Sequence, residues 1–120
     1  MVRFSFRARW LSFRNAFRGL IYLVKAEHNL CIQLVAALAA IALGIICRIS
    51  RSDWLIIILC IGFVIAAEIM NSAVERLVDL VSPQENKTAG IIKDIAAGSV
   101  LIAAIAALVA GIVVFVPYFT

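Results

Sequence analysis

Polar residues are unevenly spread along this chain, and three long apolar runs are its dominant pattern. "LCIQLVAALAAIALGIIC" (30–47) is broken only by Gln33, and "IAAGSVLIAAIAALVAGIVVFVPYF" (95–119) carries no charge at all, so each predicts a helix that crosses a membrane. The middle run, 54–67, covers only roughly 21 Å of a hydrocarbon core about 30 Å thick. The second crossing must therefore continue into "EIMNSAVERLVD" (68–79), taking Glu68 and Asn71 with it. Ahead of the first crossing, Trp10, Phe13, Phe17, Leu20 and Val24 recur at three- and four-residue steps while Arg14, Arg18 and Lys25 fall on other faces. That spacing predicts an amphipathic helix lying in the membrane surface. A disordered basic tail is the alternative. The expected fold is one all-α membrane domain over 1–120, with a surface helix at about 5–26 and crossings at about 28–48, 54–80 and 90–117.

Composition agrees with this pattern: 65% of residues are hydrophobic and 15% charged, a balance that excludes an ordinary soluble domain. The net charge of +4 comes mostly from Arg3, Arg7, Arg9, Arg14, Arg18 and Lys25 before the first crossing, and from Arg76, Lys87 and Lys93 around the second connection. Such a bias predicts a cytoplasmic N-terminus and 80–92 connection, with the 48–53 turn and the C-terminus outside. The basic residues are thus read as setting topology, not as binding nucleic acid. A cleaved signal peptide is not expected, because the first apolar run is a full crossing in length. Cys31, Cys47 and Cys60 lack paired spacing and read as packed free thiols. His28, without a spaced partner, reads as a surface residue. Small residues recur every fourth position, at Ala36, Ala40 and Gly44 and again at Ser99, Ala103, Ala107 and Gly111, as helices need to approach closely in lipid.

On a helix Glu68, Asn71, Glu75 and Asp79 fall at about 0°, 300°, 340° and 20°, a single stripe. Counting from Trp54 at the outer interface, Glu68 lies roughly 9 Å short of the cytoplasmic boundary. A carboxylate there costs about 2.5–3.5 kcal/mol on insertion scales, which a plain anchor has no reason to bear. Glu27 just before the first crossing, and Lys93 and Asp94 just before the third, arrive at the same surface. Glu27 and Glu75 are hard oxygen ligands suited to Mg2+. Lys93 suits a phosphoryl group in transfer, and a desolvated Glu68 suits removal of a hydroxyl proton. Phosphorylation of a lipid alcohol would use all of these. Structural ion pairs and snorkelling helix ends would also explain them, as would a small proton-coupled transporter using Glu68, or a non-catalytic membrane subunit. No Walker GxxxxGK[ST] or kinase glycine loop occurs, so a nucleotide must be held in another way.

"EIMNSAVERLVDLVSP", followed by "KDIAAGSVLIAAIAALVAG", resembles the prokaryotic diacylglycerol kinase and undecaprenol kinase family of small integral membrane enzymes, over about Phe13 to Phe115. The resemblance implies a homotrimer in the bacterial cytoplasmic membrane with composite sites at the cytoplasmic interface, using ATP and Mg2+ to make phosphatidic acid or undecaprenyl phosphate. It implies Glu68 as the catalytic base, Glu27 and Glu75 as holders of the divalent ion of Mg-ATP, and Asn71, Lys93 and Asp94 as phosphate contacts or ordering groups, Lys93 most directly. Cys31 and Gln33 depart from the pattern, standing where family members often carry a basic residue and a His or acid. "LVDLVSP" leans toward the undecaprenol kinase branch.

Overall fold

A computed structural model of the protein describes residues 3–120, whose regular elements are four helices: α1 (Phe6–Ala26), α2 (His28–Cys47), α3 (Arg51–Val81) and α4 (Lys87–Phe119). Three of them begin at residues whose side chains replace the missing intrahelical acceptor. Ser5 Oγ accepts from the Ala8 N–H at 3.4 Å, Ser50 Oγ from Asp53 at 3.2 Å, and Asn86 Oδ1 from Ala89 at 2.8 Å. The break between α1 and α2 is a single residue, Glu27, held extended at φ −119° and ψ 116° with its N–H donated back to Leu23. No proline or glycine stands there.

α2 ends differently. Arg48 turns left-handed at φ 53°, its N–H donates to Ile45, and the Ile49 N–H donates to Gly44. This is the paired closure of a Schellman motif, in which a non-glycine residue costs about 1 kcal/mol. It places Ile49 and Trp54 against Gly44, where a Cβ would stand 2.7 Å from Trp54 Cη2 and 3.1 Å from Ile49 Cδ1. Gly44, one of the small residues spaced for contact between crossings, here makes room for its own chain's turn. Ile49, Ile57 and Val114 form the core at this end, with Trp54, Ile61 and Phe115 packed on it. The Tyr118 hydroxyl completes the closure, accepting from the Ser50 N–H at 3.1 Å and donating to Asp53 Oδ2 at 2.7 Å.

α4 packs mainly on α3, α2 less extensively on α3, and α1 least, on α2. α2, α3 and α4 are each long and apolar enough to cross a membrane. The chain exposes 9308 Å2, against about 6,400 Å2 for a compact soluble protein of its 13.1 kDa. Its radius of gyration is 17.9 Å, against about 13.6 Å for a compact domain of this length. The excess is apolar: Ile46, Leu59, Leu80 and Ile102 all lie largely uncovered. Water would not tolerate so much bare hydrocarbon, so lipid or protein must cover it.

Candidate functional site

The buried positions of α3 follow one stripe, from Ile57 and Val64 through Glu68, Asn71 and Ser72 to Val78. The first two are ordinary core residues, and the next three are polar at the same depth of burial. Glu68 is 3% exposed and Asn71 7%. Among the described residues Glu68 has no hydrogen bond or ion pair, and the Asn71 Oδ1 atom is enclosed without a donor. Buried acceptors in a folded protein are nearly always matched. This helix therefore holds, three residues apart, a buried glutamate without a side-chain partner and an enclosed Asn71 Oδ1 without a donor among the described residues. The carboxylates that act electrostatically on Glu68 are first Glu75 and then Glu27.

Two ion pairs flank these carboxylates. Glu27, at the α1–α2 break, accepts from Arg76 Nη2 at 2.6 Å, and the same guanidinium lies 5.1 Å from the centre of the Tyr22 ring while donating through Nη1 to the Tyr22 hydroxyl at 3.3 Å. Lys93, on the first turns of α4, donates to Asp79 Oδ1 at 2.5 Å, with Glu75 and Glu85 the other acids acting on it. Glu75 thus acts electrostatically on both Glu68 and Lys93. Beyond Lys93 the connection 82–86 forms a polar cup of about 510 Å3, lined by Asp79, Glu85, Lys87 and Lys93. Its rim is braced by Ser82 Oγ, which donates to the Gln84 carbonyl and accepts from Asn86 Nδ2.

Of the residues singled out from sequence, Glu27, Glu68, Asn71, Glu75 and Lys93 come to one end of the helix bundle. Asp94 does not join them: it is exposed and unpaired among the described residues, on the neighbouring face of α4 from Lys93. Arg76, Asp79 and Tyr22 belong to this end as well. The sequence reading used Arg76 only as a topological charge, although its place beside Glu75 was a usable signal. Cys31 spends its thiol locally, donating to the Val24 carbonyl at 3.1 Å, and all three cysteines are free. Gln33 is the polar residue at one end of an apolar groove of about 640 Å3 between α2, α3 and α4.

Does this end suit Mg-ATP? Among the described residues no three acidic, histidine or cysteine side chains converge as a closed metal cage. Mg2+ does not require one, since it takes one or two carboxylates and completes its shell with water and phosphate oxygens. Hard oxygen donors at Glu27 and Glu75, a lysine beside them and an orphaned Asn71 Oδ1 fit that chemistry.

Comparison with known proteins agrees with the local chemistry. The family described as prokaryotic diacylglycerol kinase matches residues 14–115. An undecaprenol kinase of Bacillus subtilis (strain 168) is 34% identical over 88% of this chain and 86% of its own length. A diacylglycerol kinase of Synechocystis sp. is also 34% identical, over 84% of this chain, and the match spans 58% of that longer relative.

Proposed function

The chain belongs to the prokaryotic diacylglycerol kinase family, and on that premise we propose that it is an integral membrane lipid kinase transferring the γ-phosphoryl group of ATP to a lipid alcohol. The observation that carries the reading is the buried, unpartnered Glu68 beside the unmatched Asn71 Oδ1. Structural ion pairing does not account for Glu68, because it has no cation partner among the described residues. A transporter would place its acid on a path through the bundle, whereas these acids gather at one end, and the family match further disfavours that reading.

In this reading Glu68 accepts the proton of the lipid hydroxyl as its oxygen bonds to the γ-phosphorus and ADP departs. A base at this depth meets the alcohol where a lipid headgroup can reach it, while bulk water competes poorly. Glu27 and Glu75 would hold the divalent ion, and Asn71 would order that ion through Oδ1 or a phosphate through its Nδ2 donor. Lys93 leaves Asp79, or shares it, to meet the phosphates, and Asp94 faces a neighbouring subunit. Mg-ATP would supply the transferred phosphoryl group, and its divalent ion would supply positive charge beside the carboxylates, which would otherwise repel the anionic phosphates. The end bearing the 82–86 connection faces the cytoplasm, where ATP is available, with the N-terminus on that side, the C-terminus outside and α1 on the bilayer surface. A homotrimer is proposed on the excess apolar surface and on the open groove between α2, α3 and α4.

Undecaprenol is the preferred alcohol in this proposal, on the strength of the relative matched over most of both chains. The test is to offer radiolabelled ATP and Mg2+ to the purified, lipid-reconstituted protein with undecaprenol and diacylglycerol in parallel. A labelled lipid is expected with at least one, more from undecaprenol. No labelled lipid from either would overturn the proposal.

A further inference from the structure

Arg76 has two partners and neither is accidental in form. A guanidinium can pair in its plane with a carboxylate while its face or edge rests on an aromatic ring, which a lysine ammonium cannot reproduce. Here one nitrogen donates to Glu27 at 2.6 Å, the other to the Tyr22 hydroxyl at 3.3 Å, and the Tyr22 ring lies 5.1 Å away. Tyr22 is on α1, Glu27 is the residue at which α1 ends, and Arg76 is on α3. α1 is otherwise exposed along nearly its whole length, with Leu23 its one buried residue. The guanidinium is therefore a principal tie between that helix and the helix bearing Glu68.

The same tie occupies a carboxylate that the proposed function assigns to the divalent ion. The pair is not sealed in: the Arg76 side chain is 41% exposed and that of Glu27 24%. An ion pair so open to water is weak, whereas a dication between two carboxylates and phosphate oxygens is held more strongly. We infer that Arg76 is a positioning residue, the counter-cation that holds Glu27 until the divalent ion displaces it, and that through Tyr22 this exchange alters how α1 is docked. The inference rests on Glu27 being a metal ligand. Displacement leaves the guanidinium on Tyr22 and frees one of its donors, so α1 keeps one contact and loses the other.

The experiment uses the full chain in lipid nanodiscs, with W54F making Trp10 on α1 the sole tryptophan. Mn2+ is titrated in the presence of a non-hydrolysable ATP analogue. Its binding is followed by the Mn2+ spin-resonance signal, and the docking of α1 by Trp10 emission. R76Q is expected to bind Mn2+ about three- to tenfold more tightly, as loss of a partly exposed competitor predicts. Its metal-free Trp10 spectrum should shift in the direction that metal binding shifts the parent's, and further, because R76Q also gives up the Tyr22 contact. R76K, which keeps a cation but not the forked pairing with the ring, should fall between the parent and R76Q. E27Q should bind poorly. Unchanged or weaker Mn2+ binding by R76Q, with E27Q impaired, would overturn the competition and leave the metal role of Glu27 standing. Parent-like binding by E27Q would overturn that role and the competition together. Should R76Q not fold, Y22F loosens the same guanidinium, and Mn2+ binding tighter by about twofold is expected; equal affinity would count against the inference.

Discussion

The two ends of the helix bundle treat polar side chains in opposite ways. At the 48–53 turn the near-surface polar groups find partners and the packing closes: Gly44 leaves room for the Trp54 ring, Ile49 closes on the core, and the Tyr118 hydroxyl joins Ser50 to Asp53. At the other end Glu68 and Asn71 are buried, yet among the described residues neither the Glu68 carboxylate nor the Asn71 Oδ1 has a partner. Agreement among packing, capping and hydrogen bonding marks a region selected for the fold, and a local breach of those rules marks one selected for something else. The difference separates stability from chemistry within one chain, and substitutions at the two ends should behave accordingly.

The sharpest separation is expected from Glu68→Gln. If Glu68 serves as the proposed base, the change should reduce kcat by about 10²- to 10⁴-fold, with thermal stability in nanodiscs equal to or above that of the parent because a buried carboxylate is removed. A mutant that retains most of its turnover, or that unfolds, would break the contrast. Next is Gly44→Ala, whose methyl group meets the Trp54 ring at 2.7 Å. Overpacking of that kind should cost about 1–3 kcal/mol, read as a lower unfolding midpoint, while KM for ATP stays unchanged. The smallest effect belongs to Tyr118→Phe, which removes one hydroxyl linking two groups at the turn and should cost about 1 kcal/mol with no loss of kinase activity. If that variant lost activity in proportion to stability, the two ends would be coupled and not independent.

The all-helical class and the three long apolar helices were legible because a segment in lipid must satisfy its own backbone, which leaves a long apolar run few structures other than a helix. The family was legible in "EIMNSAVERLVDLVSP", and the match over residues 14–115 agrees with it. Pairings between helices were not legible. Arg76 meets Glu27 across a separation of 49 positions, and Lys93 takes Asp79 instead of standing free. Periodicity gives the face on which a side chain lies but not the rotation of the neighbouring helix that decides its partner. Gly44 shows the same limit, since a small residue spaced for contact between helices looks identical to one making way for a tryptophan three turns of sequence later. Asp94, one residue from Lys93, is turned by about 100° and so leaves the cluster its neighbour joins.

Glu27 has one further consequence, for which lengths of chain can vary. Because the residue that separates α1 from α2 also carries the carboxylate held by Arg76, an insertion there would move that carboxylate, and there is no spare residue to absorb it. The 82–86 connection, exposed over most of its length, can lengthen without moving a helix register. Drift in length among descendants of this chain should accordingly collect in that connection and spare the other.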